Sequence, residues 1–168
     1  MSQAEKNEVE LVSAVGIDYS KLRDLVAANK WEEADRETLR VMLKVAGTKQ
    51  EWLDTESIEK FPCEDLRTID QLWVKYSKGH FGFSVQKLIY QSLGGTSGYN
   101  SEVWGRFGDR VGWRQKNQWV YYEDITFSEK APEAQLPVLD CWNIWGICWW
   151  FDGERGREWV SILSRRDL

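Results

Sequence analysis

The chemistry open to this chain is narrow. Its single histidine is His80. A lone imidazole can serve as a general base, a metal ligand or an axial ligand to a metalloporphyrin, and in a turn it can equally be a partly solvated side chain. No second histidine exists to build a His-rich metal site. The carboxylate pairs Glu32/Glu33 and Glu64/Asp65 are neighbours within expected helices, where adjacent side chains point apart. Glu64 and Asp65 already suit the positive end of a helix dipole. No Gly-x-Ser-x-Gly elbow occurs, and Cys63, Cys141 and Cys148 have no histidine close in sequence. Three cysteines without framework spacing read as small buried or half-buried thiols in a reducing cytosol. The run Gly94-Gly95-Thr96-Ser97-Gly98 follows a helix and lacks the Gly-Lys-Ser/Thr ending of a phosphate loop. These residues assemble no catalytic set, and the chain reads as a non-enzyme.

Its surplus lies elsewhere. Among 168 residues stand 11 tryptophans. Tryptophan combines a large flat apolar area with one N–H that wants a partner, and a chain of this size rarely needs so many for its core alone. Phe81, Phe83, Phe107, Trp113, Trp119 and Phe127 all lie in or beside expected turns. Singly, each can close the core over a helix end. Together they can line an apolar cup for a flat ligand, with Val85, Ile89 and Leu136 beside them. Burying about 300 Å² of ligand at about 25 cal/mol/Å² is worth roughly 7 kcal/mol before entropic losses, against about 8 kcal/mol for micromolar binding. Polar contacts must add the rest. Arg106, Arg110, Arg114, Arg165 and Arg166 are the candidates, because guanidinium meets carboxylate bidentately. On this reading Phe83→Ala weakens ligand binding more than folding.

The elements that must position these residues are helical. Hydrophobic content is 42% with mixed charge, which favours one folded domain. The net charge of −5 and a pI near 5.1 argue against a nucleic-acid partner. No apolar run spans a bilayer, and residues 1–16, lacking the features of a signal peptide, read as a flexible arm before a domain over 17–168. Asp18 can cap a helix carrying Leu22, Leu25 and Val26. Trp31, Ala34, Thr38, Val41, Met42 and Val45 repeat at helical spacing up to Gly47. Asp54 or Thr55 opens a short turn. Pro62 starts a helix with Leu66, Ile69, Leu72, Trp73 and Tyr76 on one face, ending at Gly79. Ser84 can cap the next helix, with Val85, Leu88, Ile89 and Leu93 expected on its buried face. Ser101 opens a helix holding Val103, Trp104 and Phe107. Trp113 and Trp119 flank a polar turn. The stretch 121–127 reads as extended or as a helical turn, 128–137 as a loop, 142–151 as a short strand, 152–156 as a turn and Glu158–Arg166 as a last helix. The joint His80-Phe81-Gly82-Phe83 is the oddity: a connection is usually polar, and this one carries two phenylalanines. Either the rings fold back into the core or they line a surface.

The stretch FPCEDLRTIDQLWVKYSKGHFGFSVQKLIYQSLGG, from Phe61 to Gly95, resembles the central motif of the "genomes uncoupled" porphyrin-binding proteins, which activate magnesium chelatase in chlorophyll biosynthesis. DYSKLRDLVAANKWEEADRETLRVMLKVAG, FGDRVGWR, DITFSEKAPEAQLP and the terminal LSRRDL extend the resemblance in order. It implies an all-α domain shaped as a cupped hand, with an irregular C-terminal third and a mobile loop, here SEKAPEAQLP, over an apolar palm. It implies a non-covalent tetrapyrrole ligand, protoporphyrin or magnesium protoporphyrin, and the large subunit of magnesium chelatase as partner. The expected ligand-binding residues are Phe81, Phe83, Val85, Ile89, Phe107, Trp113, Arg114, Trp119, Phe127, Leu136 and Arg165, with no catalytic residue and no metal ligand. The expected setting is a cytoplasmic monomer, with peripheral membrane association left open. The family pattern reads GRFGFS where this chain has His80 in place of the arginine, and APxGHLP where it has Ala131-Pro132-Glu133-Ala134-Gln135-Leu136-Pro137. The segment WNIWGICWWFDGERG has no placed counterpart. These changes around the pocket leave a linear tetrapyrrole (a bilin) as an alternative ligand, and a helical protein-interaction module as a third reading.

Overall fold

The computed structural model describes residues 8–139 and 156–168. Helix α1 (Ser20–Ala27) buries Leu22 and Val26, and α2 (Trp31–Ala46) buries the expected stripe from Trp31 to Val45. Gly47 ends α2 in the left-handed region, where a side chain is strained. Asp54 caps the short α3 (Thr55–Glu59) by accepting the Ser57 N–H at 2.8 Å. Helix α4 (Cys63–Tyr76) follows Pro62 and buries Leu66, Ile69, Leu72 and Trp73. Then come α5 (Phe83–Ser92), α6 (Ser101–Val111) and, last, α7 (Gly156–Leu163). Helix α1 packs on α2 and α4, α5 on α4, α6 and α7, and α3 on α7. The all-α expectation is met. The strand pairing among the described residues is the hairpin β1 (Arg114–Gln115) with β2 (Gln118–Trp119), packed on α6. Its turn residues Lys116 and Asn117 both have positive φ, the geometry that matches strand twist in a two-residue hairpin. Residues 122–124 form a 3-10 turn.

Several local expectations change. The buried face of α5 is Phe83, Gln86, Ile89 and Tyr90, while Leu88 is 68% exposed and Val85 and Leu93 are only partly buried. The helix is turned so that its aromatic row meets α6 and α7. Ser84 is not its cap. Asp70 of α4 reaches across and accepts the Ser84 N–H at 2.8 Å, doing the work of a capping side chain. Asn100, not Ser101, caps α6, accepting from Glu102 and Val103. Cys63 is exposed at the first position of α4, against the buried or half-buried thiol expected. The last helix begins at Gly156 and ends at Leu163. Cys141, Cys148, the aromatic segment 142–151 and most of the 152–156 turn lie outside the described residues.

Of residues 1–16, expected as an arm, residues 8–16 are described and lie against α4. Thr68 Oγ1 accepts the Val12 N–H and donates to the Val12 carbonyl, and Asp65 accepts from Ser13 Oγ at 2.5 Å and the Ala14 N–H at 2.9 Å. The same buried carboxylate accepts the Tyr19 hydroxyl at 2.6 Å. Burial, then the hydrogen bond to Asp65 and its charge, push the Tyr19 phenol far above the ordinary tyrosine range.

Asp70 supplies a pH prediction. Burial raises its carboxyl above the usual aspartate value, and the Ser84 hydrogen bonds only partly oppose this. A carboxyl raised in the fold disfavours the folded state once ionised. Stability should therefore rise as pH falls from neutral through the raised value, and the gain is complete at the unfolded one. Asp70→Asn keeps the acceptor for Ser84 without the charge. It is expected to unfold at a higher temperature than the parent at neutral pH, with the difference vanishing at acid pH. An unfolding midpoint below the parent's at neutral pH contradicts this account.

Candidate functional site

The joint between α4 and α5 sends its two phenylalanines in opposite directions. Phe81 enters one aromatic cluster, edge-on to Trp31 at 5.3 Å and to Trp73 at 6.3 Å, where Trp31 and Trp73 themselves stack at 5.9 Å. The Trp73 N–H is satisfied by Thr38 Oγ1 at 3.0 Å. Phe83 enters another, 6.0 Å from Trp159, which meets Trp113 at 5.1 Å. Trp113 continues to Phe107 at 5.4 Å and Trp104 at 6.1 Å, and Trp104 to Trp119 at 6.0 Å. Gly82 makes the divergence feasible. Its φ is +136°, and a Cβ there would sit 2.6 Å from Val74 Cγ2 and 3.0 Å from Asp70 Oδ1.

The 131–139 loop is stitched between these clusters. The Ala134 N–H donates to the His80 carbonyl at 2.8 Å, and the Gly82 N–H to the Leu136 carbonyl at 3.0 Å. His80 Nε2 lies 2.8 Å from the Ala131 carbonyl. A carbonyl only accepts, so this nitrogen carries the hydrogen. It is thereby engaged with the backbone and not presented as a metal ligand. Trp113 Nε1 donates to the Gln135 carbonyl at 2.8 Å, and the Gln135 side chain bridges the Gly112 carbonyl and the Thr126 N–H. Asp35 Oδ1 accepts the N–H groups of Val138 and Leu139, and its other oxygen accepts the Tyr122 hydroxyl.

The predicted site residues divide by accessibility. Phe81, Phe83, Phe107, Trp113 and Leu136 have 0% exposed surface and Ile89 has 9%. All six are packed in the core. Val85, Arg114, Trp119 and Phe127 are partly exposed. The Arg114 guanidinium lies over the Trp119 ring at 6.0 Å and pairs with Asp109 at 3.1 Å, and Phe127 rests against Tyr122 at 5.1 Å. Arg165 stands apart from them. It pairs with Asp167 at 2.7 Å and donates to the Ile58 carbonyl at 2.6 Å, tying the chain end to α3. Its pKa is raised chiefly by the Asp167 hydrogen bond. Three residues that sequence reasoning passed over hold the site together: Asp35, Gln86 and Gln135, all buried polar side chains. The available signal was a polar residue interrupting an apolar stripe, as Asp35 does beside Ala34 and Thr38.

A family model described as GUN4-like matches residues 12–152. The chain belongs to the GUN4-like family. Among the relatives of this family member, a Ycf53-like protein of Synechocystis sp. is 34% identical over 134 residues, 77% of this chain and 54% of that protein. A protein of Arabidopsis thaliana described as "Tetrapyrrole-binding protein, chloroplastic" is 32% identical over 75 residues, 43% of this chain and 28% of that protein. The structure of GUN4 from Chlamydomonas reinhardtii is 28% identical, with a TM-score of 0.74 over 95% of this chain and 96% of that one. The chain spans about half the length of the curated relatives it matches, as the 54% and 56% shares of the first two state. Among the described residues of this GUN4-like protein, no three His, Cys, Asp or Glu side chains gather to hold a metal ion. No described helix is long and apolar enough to cross a membrane.

Proposed function

We propose that this GUN4-like chain binds a tetrapyrrole non-covalently, without catalysing a reaction on it, at the partly exposed edge of the aromatic cluster beside the 131–139 loop. The observation that carries this is the pairing of Trp119 with Arg114: a flat, partly exposed ring under a guanidinium. A tetrapyrrole offers the complementary pair, a flat apolar body and carboxylate arms. Val85 on α5 and Phe127, which rests on Tyr122, are the other partly exposed candidates. Phe83, Phe107 and Trp113 pack in the cluster behind the edge, Ile89 and Leu136 are buried in the core, and Phe81 lies in the separate Trp31–Trp73 cluster. Arg165 serves the fold. The name of the Arabidopsis relative supports the ligand class. Protoporphyrin and magnesium protoporphyrin are the ligands we propose, and regulation of magnesium chelatase through its large subunit, in the cytoplasm and as a monomer, is the role. Peripheral contact with a membrane belongs to the same proposal.

The test is a side-by-side titration with a water-soluble porphyrin, its magnesium form and a bilin. The porphyrins are expected to quench the tryptophan fluorescence and to shift their own Soret band, with Arg114→Ala weakening binding by about tenfold. Tighter binding of the bilin, with a sharpened long-wavelength band, replaces the porphyrin with the linear ligand. Flat titrations with all three overturn tetrapyrrole binding. A chelatase rate unmoved by the loaded protein removes the proposed role.

A further inference from the structure

Gln86 is 0% exposed, and its side-chain amide is used across three parts of the fold. Its Nε2 donates to the carbonyls of Ala134 at 3.1 Å and Pro137 at 2.8 Å. Its Oε1 accepts the Trp159 indole N–H at 3.1 Å. The orientation is unambiguous, because a flipped amide would set oxygen against two carbonyls and NH₂ against an N–H. No other neutral side chain of this length both donates twice and accepts once. A glutamate of the same shape would turn a negative oxygen toward two carbonyl dipoles.

The loop it holds has its carbonyls satisfied in succession from within the fold: Ala134 and Pro137 by Gln86, Gln135 by Trp113 and Leu136 by the Gly82 N–H. Downstream, Asp35 holds the Val138 and Leu139 amides. Swinging this loop away would strand those buried groups without partners. Gln86 is the member of the set that takes two loop carbonyls and links them to Trp159, hence to the Phe83–Trp113 cluster.

We propose that Gln86 is a positioning residue that sets the 131–139 loop against α5 and α7, making the loop a fixed wall of the tetrapyrrole site and not a lid that closes over it. This rests on the tetrapyrrole reading above. The consequence is preorganisation: the ligand meets a wall already in place, and no ordering of the loop is charged against its affinity.

The test uses the full chain, with Gln86→Glu and the milder Trp159→Phe, which keeps a ring and removes the N–H. Amide hydrogen exchange over 131–139 and affinity for a water-soluble porphyrin are both measured. In the parent, exchange over the loop is expected to be slow before ligand is added and to change less than about twofold at saturation. For Gln86→Glu near pH 8, exchange is expected to quicken and affinity to fall, each by about tenfold. Both should recover in part near pH 5, where the protonated carboxyl can donate to one of the two carbonyls. The parent is expected to show no such acid recovery, and Trp159→Phe a smaller change in the same direction without pH dependence. Fast loop exchange in the free parent that porphyrin suppresses by more than about tenfold makes the loop a lid and overturns the proposal. So does parent-like loop protection and affinity in the folded variants, and if Gln86→Glu does not fold, Trp159→Phe decides. A flat porphyrin titration of the parent fails the tetrapyrrole reading, and the exchange measurements still judge the wall.

Discussion

Truncating Phe83 to alanine is expected to lower folding stability by about 3–5 kcal/mol, the range for removing a buried ring from a packed core. Phe83 has no exposed surface and packs 6.0 Å from Trp159, which in turn sits 5.1 Å from Trp113. Its alanine variant leaves a void at the junction of α5 and α7. Such a loss is a large share of the roughly 5–15 kcal/mol that a domain has in total. The order anticipated from sequence, affinity before stability, is thereby reversed. Chemical unfolding with porphyrin titration of the folded fraction checks it. A midpoint near the parent's, with affinity alone reduced, would return Phe83 to the ligand surface.

Asp35→Ala is expected to be comparably damaging, of the order of 4 kcal/mol, for a different reason. It removes no large volume. It strands the buried amides of Val138 and Leu139 and the hydroxyl of Tyr122, and an unsatisfied buried group costs about 1–3 kcal/mol. Asp35→Asn separates this account from a requirement for charge. Its Oδ1 still takes both amides, and its NH₂ faces a hydroxyl that can accept, so its loss should stay within about 1.5 kcal/mol. Equal losses for the two variants, measured by urea unfolding, would mean that the carboxylate charge and not its geometry holds the loop end.

The two variants mark a boundary in what could be read ahead of the fold. The stripes of α2 and α4, the terminating Gly47 and the Asp54 cap were legible because each is a local rule, expressed within about a turn of helix. The face of α5 was misread because two rows compete there. Val85, Leu88, Ile89 and Leu93 are all apolar, whereas the row that is buried includes a glutamine. A buried glutamine is acceptable only when its partners are supplied, and those of Gln86 lie 48, 51 and 73 residues away. The cap of α5 escaped notice in the same way, since Asp70 acts from 14 residues upstream. For the candidate site, residue types were legible and accessibility was not. Trp119 and Phe107 both lie near turns, yet one keeps an exposed face and the other has none.

By itself, then, the sequence determined a helical chain with its principal apolar stripes, an unusual load of tryptophan and a central motif that names the family. Periodicity and composition suffice for these because they depend on neighbours along the chain. The tertiary structure alone decided that the two rings of the joint part company around Gly82. It alone decided which aromatics keep an exposed face, and that the 131–139 loop is moored by Asp35, Gln86 and Trp113. Those outcomes depend on which hydrogen-bond donor meets which acceptor across the fold, and a buried polar group takes the partner that space provides, however distant in sequence.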